Sequence, residues 1–340
     1  MLLADKPCAW ERPGGIPVQK LYQSTTLLAL TLVLTFASSA AAQWPEYSQI
    51  GKKNYVEFGI RALVRPGDDL DLPIFNDATS GVPLLSVDDV TTGGSAAGVE
   101  LSYHFENRHG GDFEFRTIVG SFDSERQITD GNIATPFFPG QILDTVDYQY
   151  ESRIFSLEVN RKRSIAQGLT LFGGPRFFQL NEEASFSTFQ QAGVPGATAT
   201  TDTTTVQSID AINNLIGLQV GLRRDRRLTP DFRSAVFIRT GGYFNPTRLV
   251  LDNSTNQFGV TGNAITDLSK STGSFLVELG GKVYWDLSSN CSLFAGYEAT
   301  WIDGIALAPP QFLNAATTGE VETSNTLFFH SITAGFRVDW

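Results

Sequence analysis

Stretches in which apolar and polar side chains alternate recur along this chain, and their two-residue period constrains the fold more than any other feature. In the first, NYVEFGIRALVR at 54–65, Val56, Phe58 and Ile60 share one face while Glu57 lies on the other. This period is typical of β-strands whose two faces meet different surroundings. The same pattern predicts nine further strands near 97–106, 112–120, 149–160, 168–180, 207–223, 232–245, 273–286, 290–303 and 326–340.

The connections between these strands alternate strictly between short and long. Short ones fall at 106–111, 161–167, 224–231 and 287–289, and long ones at 66–96, 122–148, 181–206, 246–272 and 304–325. A meander with all short turns at one end and all long loops at the other is typical of outer-membrane barrels. The predicted fold is therefore all-β, a closed antiparallel up-and-down transmembrane β-barrel of ten strands, with short periplasmic turns and long extracellular loops.

Two alternatives to this fold stay open at the level of sequence. A secreted β-sandwich would also alternate, although it explains the regular change in loop length poorly. A count of twelve strands follows if part of 122–148, which contains TPFFPGQIL, pairs as an extra hairpin.

The N-terminal residues carry the pattern of a secretory signal peptide. Lys20 precedes the apolar run LLALTLVLTF at 27–36, and small residues ending at Ala42 follow it. An N-terminal membrane anchor is the alternative. The predicted organisation is a cleaved leader at 1–42, a periplasmic lead-in at 43–53 and the barrel at 54–340. Cleavage leaves Cys291 as the only cysteine, so no disulfide within the chain is expected.

Composition and motifs argue against several other functions. The net charge of -11 disfavours nucleic-acid binding, even with the cationic run RRDRR at 223–227. His104, His109 and His330 are the only imidazoles, and we expect them to be polar-wall or interfacial groups rather than catalytic bases. Asp68, Asp69 and Asp71 lack the pattern of a calcium loop. We therefore expect no enzyme activity, no cofactor and no metal site.

The last ten residues, SITAGFRVDW, form an alternating strand that ends the chain on tryptophan. Phe336, Val338 and Trp340 share one face of this strand, and Arg337 and Asp339 share the other. This resembles the C-terminal insertion signal of bacterial outer-membrane barrels. It implies the barrel assembly machinery and outer-membrane lipid as partners, and an aromatic at this end suits the membrane interface.

Several longer segments resemble one family of such barrels. They are PLLSVDDV at 83–90, SLEVNRK at 156–162, GGPRFFQLNEE at 173–183, NNLIGLQVGLR at 213–223, GGYFNP at 241–246, GYEATWIDGIALAPPQF at 296–312 and LFFHSITAGFRVDW at 327–340. In order and spacing they are similar to the pore-forming outer-membrane β-barrel family of the Legionella major-outer-membrane-protein type and its planctomycete relatives. The resemblance implies a porin-like barrel whose substrate is unassigned.

The polar faces of the strands define the predicted lumen, because charged side chains facing lipid would cost about 2–4 kcal/mol each for Arg or Lys at the midplane. The candidates for lining a pore are Glu57, Arg61, Glu100, His104, Glu114, Arg116, Glu158, Arg176, Asn213, Gln219, Arg239, Glu278, Lys282, Glu298 and Arg337.

Two functions remain compatible with this lumen. The predicted function is that of a porin-like channel, passive diffusion of small hydrophilic solutes or ions through a hydrated path. The other is a sealed surface scaffold with loops that mediate adhesion or binding, which follows if opposite charges pair across a narrow interior. Ten strands lie between the filled barrels of about eight strands and the open channels of about sixteen.

Overall fold

The computed structural model describes residues 54–65, 73–86, 95–106, 112–134, 143–192, 201–257 and 260–340. The chain divides into Met1–Gly51 and Lys52–Trp340, and all described residues belong to the second unit. The predicted leader at 1–42 and lead-in at 43–53 lie outside the described residues. So do His109, the aspartates at 68, 69 and 71, and most of the TPFFPGQIL segment.

Twelve antiparallel strands and one helix make up the described fold. The strands are β1 (Tyr55–Val64), β2 (Pro73–Asp77), β3 (Pro83–Ser86), β4 (Ser95–Glu106), β5 (Asp112–Ala134), β6 (Leu143–Ala166), β7 (Leu169–Ala192), β8 (Thr201–Arg227), β9 (Phe232–Gln257), β10 (Val260–Asp286), β11 (Cys291–Ile305) and β12 (Asn325–Asp339). The helix, α1, spans Ala308–Thr318.

Ten of these strands close into a ring. Consecutive strands pair from β4 to β12, and β1 pairs with both β4 and β12, so no ring strand is left unpaired at the seam. At the seam Tyr55 lies opposite Asp339 and Phe58 opposite Phe336. The N–H of Trp340 donates to the carbonyl of Asn54 at 3.0 Å. The closed ten-strand barrel and the closing role of the last strand are thus confirmed.

The two faces of the ring strands differ in polarity, since the outer face is apolar and the inner face is polar. Ile60, Leu218 and Ile332 are 63 %, 68 % and 59 % exposed, whereas Glu57 on the opposite face of β1 is 2 % exposed. About ten residues of each strand carry this apolar face, which at about 3.3 Å per residue and a tilt near 40° gives a band about 25 Å tall. Such a band matches the hydrocarbon thickness that transmembrane barrels cross.

Aromatic side chains border this band at both of its ends. Where the chain termini and short turns meet, called the turn end here, Trp340 stacks on Tyr103 and Phe105 stacks on Phe113. Toward the opposite loop end, Trp301 packs edge-on against Phe275. These positions suit the two membrane interfaces. Among the described residues, no helix has the length and apolar character needed to cross a membrane.

Six strands, β5 to β10, continue well beyond the others at the loop end. β4 ends opposite Asp123 of β5, and β11 ends opposite Phe275 of β10, yet β5 continues to Ala134 and β10 begins at Val260. We call this projecting sheet the strand extension. The predicted long loops at 122–148, 181–206 and 246–272 were therefore largely wrong, because much of each is strand. In β6 the alternation simply continues, with buried Val146, Tyr148 and Tyr150 on the inner face.

A separate hairpin, β2–β3, brings the sheet to twelve strands. It joins the extension through Asn76 opposite Ala134 and Asp77 opposite Ile133. This additional pair comes from the predicted loop at 66–96. The described parts of 122–148 extend β5 and β6, and the rest of that segment lies outside the described residues. At the hairpin turn, hydrogen bonds from Ser80 and Asn132 lower the pKa of the Asp77 carboxyl.

Candidate functional site in the barrel lumen

The structure places all fifteen predicted pore-lining side chains on the inner face of the ring. Most of them belong to one group of paired charges, which we call the charge network. Its seven cations are Arg61, Arg116, Lys162, Arg176, Arg239, Lys282 and Arg337. Its seven carboxylates are Glu57, Glu100, Glu114, Glu158, Glu278, Glu298 and Asp339. The network is therefore neutral when every member is ionised.

Glu298 of β11 is the centre of the contacts that cross the lumen. Its carboxylate accepts hydrogen bonds from Arg61 of β1 at 3.0 Å, from Arg116 of β5 at 2.8 Å and from Arg239 of β9 at 3.2 Å. Arg61 and Arg116 also contact Glu100 at 2.9 Å. Because these strands lie on different sides of the ring, the side chains meet across the interior.

A second set of ion pairs connects strands β5, β6, β7, β9 and β10 across the lumen. Arg176 of β7 donates to Glu278 of β10 at 3.0 Å, and Arg239 also contacts Glu278. Glu158 of β6 accepts from Arg239 at 3.0 Å and from Arg116 at 3.3 Å. Arg176, Glu158 and Glu278 are at most 2 % exposed. The two sets share Arg239 and Arg116, so the network is continuous.

Toward the turn end the network continues through Lys282 and Glu57. Lys282 Nζ lies 3.0 Å from Glu57 and 2.9 Å from Glu100. The hydroxyl of Tyr284 donates to Glu57 at 3.0 Å. A cavity of about 40 Å³ lies beside Lys282, Glu57 and Arg116. It has room for a few water molecules but not for a continuous aqueous passage.

An apolar layer covers the charge network on its loop-end side. Inward side chains there form one cluster of buried residues, namely Leu63, Phe122, Ile154, Phe178, Leu180, Leu215, Tyr243, Leu276, Ile302, Ile305, Leu307, Leu327 and Phe329. Leu180, Leu215, Leu276 and Ile302 are fully buried. A hydrated path would have to cross this layer, which offers apolar side chains where water needs hydrogen bonds.

The connection between β11 and β12 folds into the lumen and forms a plug, residues 305–323. Ile305, Ala306, Leu307 and Ala308 are fully buried. Asn213 holds this segment on both sides: its amide donates to the Ala306 carbonyl at 2.7 Å and its oxygen accepts from the Ala306 N–H at 2.9 Å. The predicted pore-lining Asn213 is thus an anchor for the plug.

The chain enters the plug through Gly304, whose backbone is left-handed at φ 80°. A Cβ at this position would lie 2.5 Å from the Gly273 carbonyl oxygen, so a side chain is excluded by contact as well as by conformation. The Gly304 carbonyl accepts from Ser274 at 2.6 Å and from Asn245 at 3.2 Å. The turn into the lumen is therefore held by side chains of β9 and β10.

Glu182 of β7 anchors the start of α1. Its carboxylate accepts from the N–H of Ala308 at 2.9 Å, from Arg65 at 2.8 Å and from the hydroxyl of Tyr150 at 2.6 Å. The negative charge lies at a helix N-terminus, where the unpaired N–H groups and the helix dipole stabilise it. This anchor is buried, since the side chain of Glu182 is 0 % exposed.

The far end of the plug is tied back to the barrel. Gln311 exchanges two hydrogen bonds with the backbone of Glu322, at 2.7 and 3.0 Å, and Lys270 of β10 donates to the Val321 carbonyl at 2.9 Å. A hydrogen bond from Ser324 lowers the pKa of the Glu322 carboxyl. Phe312 packs against Phe186 inside the strand extension, with ring centroids 4.9 Å apart.

The two described histidines occupy the positions that the sequence predicts. His104 faces inward, stacks on Tyr55 at 4.5 Å and contacts Asp112. His330 lies on the outer face, 3.2 Å from the hydroxyl of Tyr297 and packed edge-on against Phe328. Within the described ranges, no group of three or more His, Cys, Asp or Glu side chains is arranged to hold a metal ion.

Sequence reasoning missed the plug and its anchors. Arg65, Tyr150, Glu182 and Asn245 are buried in the loop-end lumen. Arg65, Tyr150 and Asn245 lie within predicted strands but were not among the lumen candidates, and Glu182 fell in the predicted loop at 181–206. The segment GIALAPPQF carried a usable signal, because two prolines after a small apolar run are typical of the first turn of a helix. The pairing of charges across the ring has no local signal, since its partners lie up to 280 positions apart.

The ring, its apolar outer band and its filled polar interior define a transmembrane β-barrel. No protein-family model and no curated protein matches the chain. Among solved structures it is similar to the outer membrane protease OmpT from Escherichia coli, at 7 % identity over 87 % of this chain and 99 % of that one, with a TM-score of 0.39.

Two further similar structures are also outer-membrane proteins. The translocator domain of the autotransporter NalP from Neisseria meningitidis has 11 % identity, with 95 % of this chain and 99 % of that one covered and a TM-score of 0.38. A major outer membrane protein from Thermus thermophilus has 11 % identity, 84 % and 99 % coverage, and a TM-score of 0.34.

Proposed function

We propose that the protein is an outer-membrane barrel with a sealed lumen, which acts as a rigid scaffold for the surface formed by its strand extension, hairpin and plug. The observation that carries this proposal is the filling of the lumen at three successive levels. Charges pair across the ring at the first level, the apolar layer with its fully buried Leu180 and Leu276 forms the second, and the plug lies at the third. In this orientation the loop end faces the cell exterior, as the long connections imply.

The strand extension gives the scaffold its surface. Its inner face is held by a second buried cluster in which Phe75 of the hairpin, Phe186 of β7 and Phe312 of the plug meet. Hairpin, strands and plug are therefore packed as one apolar unit beyond the band. A rigid, strand-based surface outside the membrane suits adhesion or binding of a macromolecule, because little ordering is needed on contact.

The competing proposal, a passive channel for small hydrophilic solutes or ions, makes the opposite electrical prediction. We expect the purified barrel, refolded into a planar bilayer, to give no stepwise conductance at 100 mV, because none of the three filled levels offers a continuous hydrated path through the described residues. Insertion is verified by the heat-modifiable mobility of the same sample. Regular conductance steps from inserted, unmodified protein would overturn the sealed barrel and support the channel.

Assembly by the barrel assembly machinery is part of the same proposal, through the C-terminal signal of Phe336, Val338 and Trp340. We expect Trp340→Ala to lower the heat-modifiable, inserted fraction several-fold, because the substitution removes the indole ring that stacks on Tyr103 beside the seam. Trp285→Ala is the matched control, since Trp285 stacks on Phe232 at the same end but away from the seam. Equal losses in both variants would contradict a special role for the terminal residue.

We propose no catalytic role. His104 is enclosed by Tyr55 and Asp112 beneath the network, and His330 lies on the outer face, so neither has room for a substrate beside a nucleophile. Kinship with the Legionella major-outer-membrane-protein type also remains a proposal, supported by segments such as GGPRFFQLNEE at 173–183 and GYEATWIDGIALAPPQF at 296–312.

A further inference from the structure

The outer wall of the barrel is concave at one place. There an open groove of about 890 Å³ crosses six neighbouring strands, β12, β1, β4, β5, β6 and β7. It is formed by two adjacent rows of outward side chains that lie opposite one another in the sheet register. One row is Ile332, Ala62, Ala97, Ser121, Arg153 and Asn181, and the other is Ala334, Ile60, Val99, Val119, Phe155 and Gln179.

Small side chains make the floor of this groove. Ala62, Ala97 and Ser121 are consecutive members of the first row, and the larger Ile60, Val99 and Val119 form a wall along the second. Five strand spacings of about 4.8 Å separate β12 from β7, so the groove is about 24 Å long. These dimensions suit the acyl chains of a lipid, which is also what meets this face in a membrane.

The groove rises toward the loop end as it crosses the strands. Ile332 lies 7 residues from Asp339 at the turn end of β12, whereas Asn181 lies 12 residues from Leu169 at the turn end of β7. It therefore begins inside the apolar band and ends at the polar boundary, beside Arg153 and Asn181. A bilayer lipid has the same arrangement, with its chains in the band and its head group at the boundary.

The polar end of the groove has an unusual charge pattern. The next outward row places Asp123, Glu151, Glu183 and Asp210 directly opposite one another on four adjacent strands. Like charges in this position destabilise a sheet. Among the described side chains, Arg153 is the cation that pairs with this row, where it donates to Glu151 at 2.7 Å. Three negative charges therefore remain in excess beside one arginine.

An unused acceptor lies at the same end. Asn181 Oδ1 is buried and accepts no hydrogen bond from any side chain or backbone group that the structure describes. A buried acceptor without a donor costs free energy, which a ligand bearing N–H or O–H groups would recover. The acidic row, Asn181 and Arg153 together favour a head group that carries both a protonated amine and a phosphate.

We propose that this groove binds one zwitterionic aminophospholipid. Its acyl chains lie over Ala62 and Ala97, its phosphate meets Arg153, and its ammonium group donates to the row of Asp123, Glu151 and Glu183. Close packing of the acyl chains against the wall adds dispersion attraction only, because the chains already lie in an apolar surrounding before they bind. The head-group charges supply the selectivity.

The test is native mass spectrometry of the refolded full barrel in mild detergent, titrated separately with phosphatidylethanolamine and with phosphatidylglycerol of identical chains. We expect one phosphatidylethanolamine per barrel, retained at least fivefold better than phosphatidylglycerol. Ala97→Phe, which fills the floor, is expected to reduce retention about tenfold or more. Asp123→Asn with Glu151→Gln is expected to abolish the preference between the two lipids.

Ala295→Phe is the matched control, because Ala295 is an exposed, outward alanine of β11 outside the groove. We expect it to bind phosphatidylethanolamine as the unmodified barrel does. Heat-modifiable mobility verifies that each variant is folded. Equal retention of both lipids by the unmodified barrel, equal loss in Ala97→Phe and Ala295→Phe, or retention of phosphatidylglycerol alone in the presence of Mg²⁺ would each overturn the proposal.

Discussion

Replacing Glu298 by glutamine is expected to lower the free energy of unfolding by about 3 kcal/mol or more. Glu298 accepts hydrogen bonds from Arg61, Arg116 and Arg239, and its side chain is 4 % exposed. Glutamine keeps the shape but leaves one uncompensated positive charge in the closed interior. Breaking a buried pair by removing one partner costs about 3–5 kcal/mol. Urea unfolding in lipid vesicles, followed by tryptophan fluorescence, measures the change.

Two further variants separate charge imbalance from a general loss of contacts. Asp267→Asn breaks the exposed pair with Arg248, whose side chains are 58 % and 51 % exposed, and such pairs contribute about 1 kcal/mol or less. Glu298→Gln combined with Arg61→Met restores neutrality and should recover part of the loss, a coupling that a double-mutant cycle measures. If Glu298→Gln is as mild as Asp267→Asn, the network does not stabilise the sealed lumen.

The second large effect concerns the anchor of the plug. Glu182→Ala removes the acceptor of the Ala308 N–H and deprives Arg65 and Tyr150 of their shared carboxylate. Loss of a buried charged partner costs about 3–5 kcal/mol, which corresponds to roughly 10²–10³-fold or more in a local opening equilibrium. We expect amide hydrogen exchange at Ala306, Leu307 and Gln311 to accelerate by about that factor.

Glu183→Ala is the matched control for this substitution, because Glu183 is the next residue of β7 and faces outward. It should leave exchange in the plug unchanged. Exchange at Phe58 and Gly335, which lie at the barrel seam, should be unchanged in both variants, since the ring does not depend on the plug anchor. Accelerated exchange throughout the barrel in Glu182→Ala would mean that plug and ring unfold together, contrary to this expectation.

The ring itself could be predicted from the sequence because its determinant is local. Each strand meets lipid on one side and polar groups on the other. Neighbouring residues therefore alternate between apolar and polar side chains, as they do around Phe58 and Phe336. All ten predicted strands are present. Their ends at the turn end lie close to those expected, except that β6 continues to Ala166 and β8 to Arg227, beyond the predicted ends at 160 and 223. Short turns such as 287–290 are polar and marked by Ser and Asn, which made these boundaries clear.

The strand extension was missed because its outer face meets no lipid. Residues such as Thr204, Thr205 and Asn253 alternate between two weakly contrasting surroundings, so their polarity resembles that of a loop although they pair as strands. The plug was missed for a different reason. Asn213, Glu182 and Ala308 become neighbours only after the ring has closed, and no spacing along the chain marks that contact.

The same long-range pairing dictates an order of events during assembly. Arg61, Arg116, Arg176 and Arg239 belong to β1, β5, β7 and β9, but Glu278 and Glu298, which they share, belong to β10 and β11 near the end of the chain. Contacts between residues so far apart form late, since a large loop must close first. Until the last strands arrive, these arginines have to stay hydrated, so the interior must remain wet during insertion and dry only at the final step.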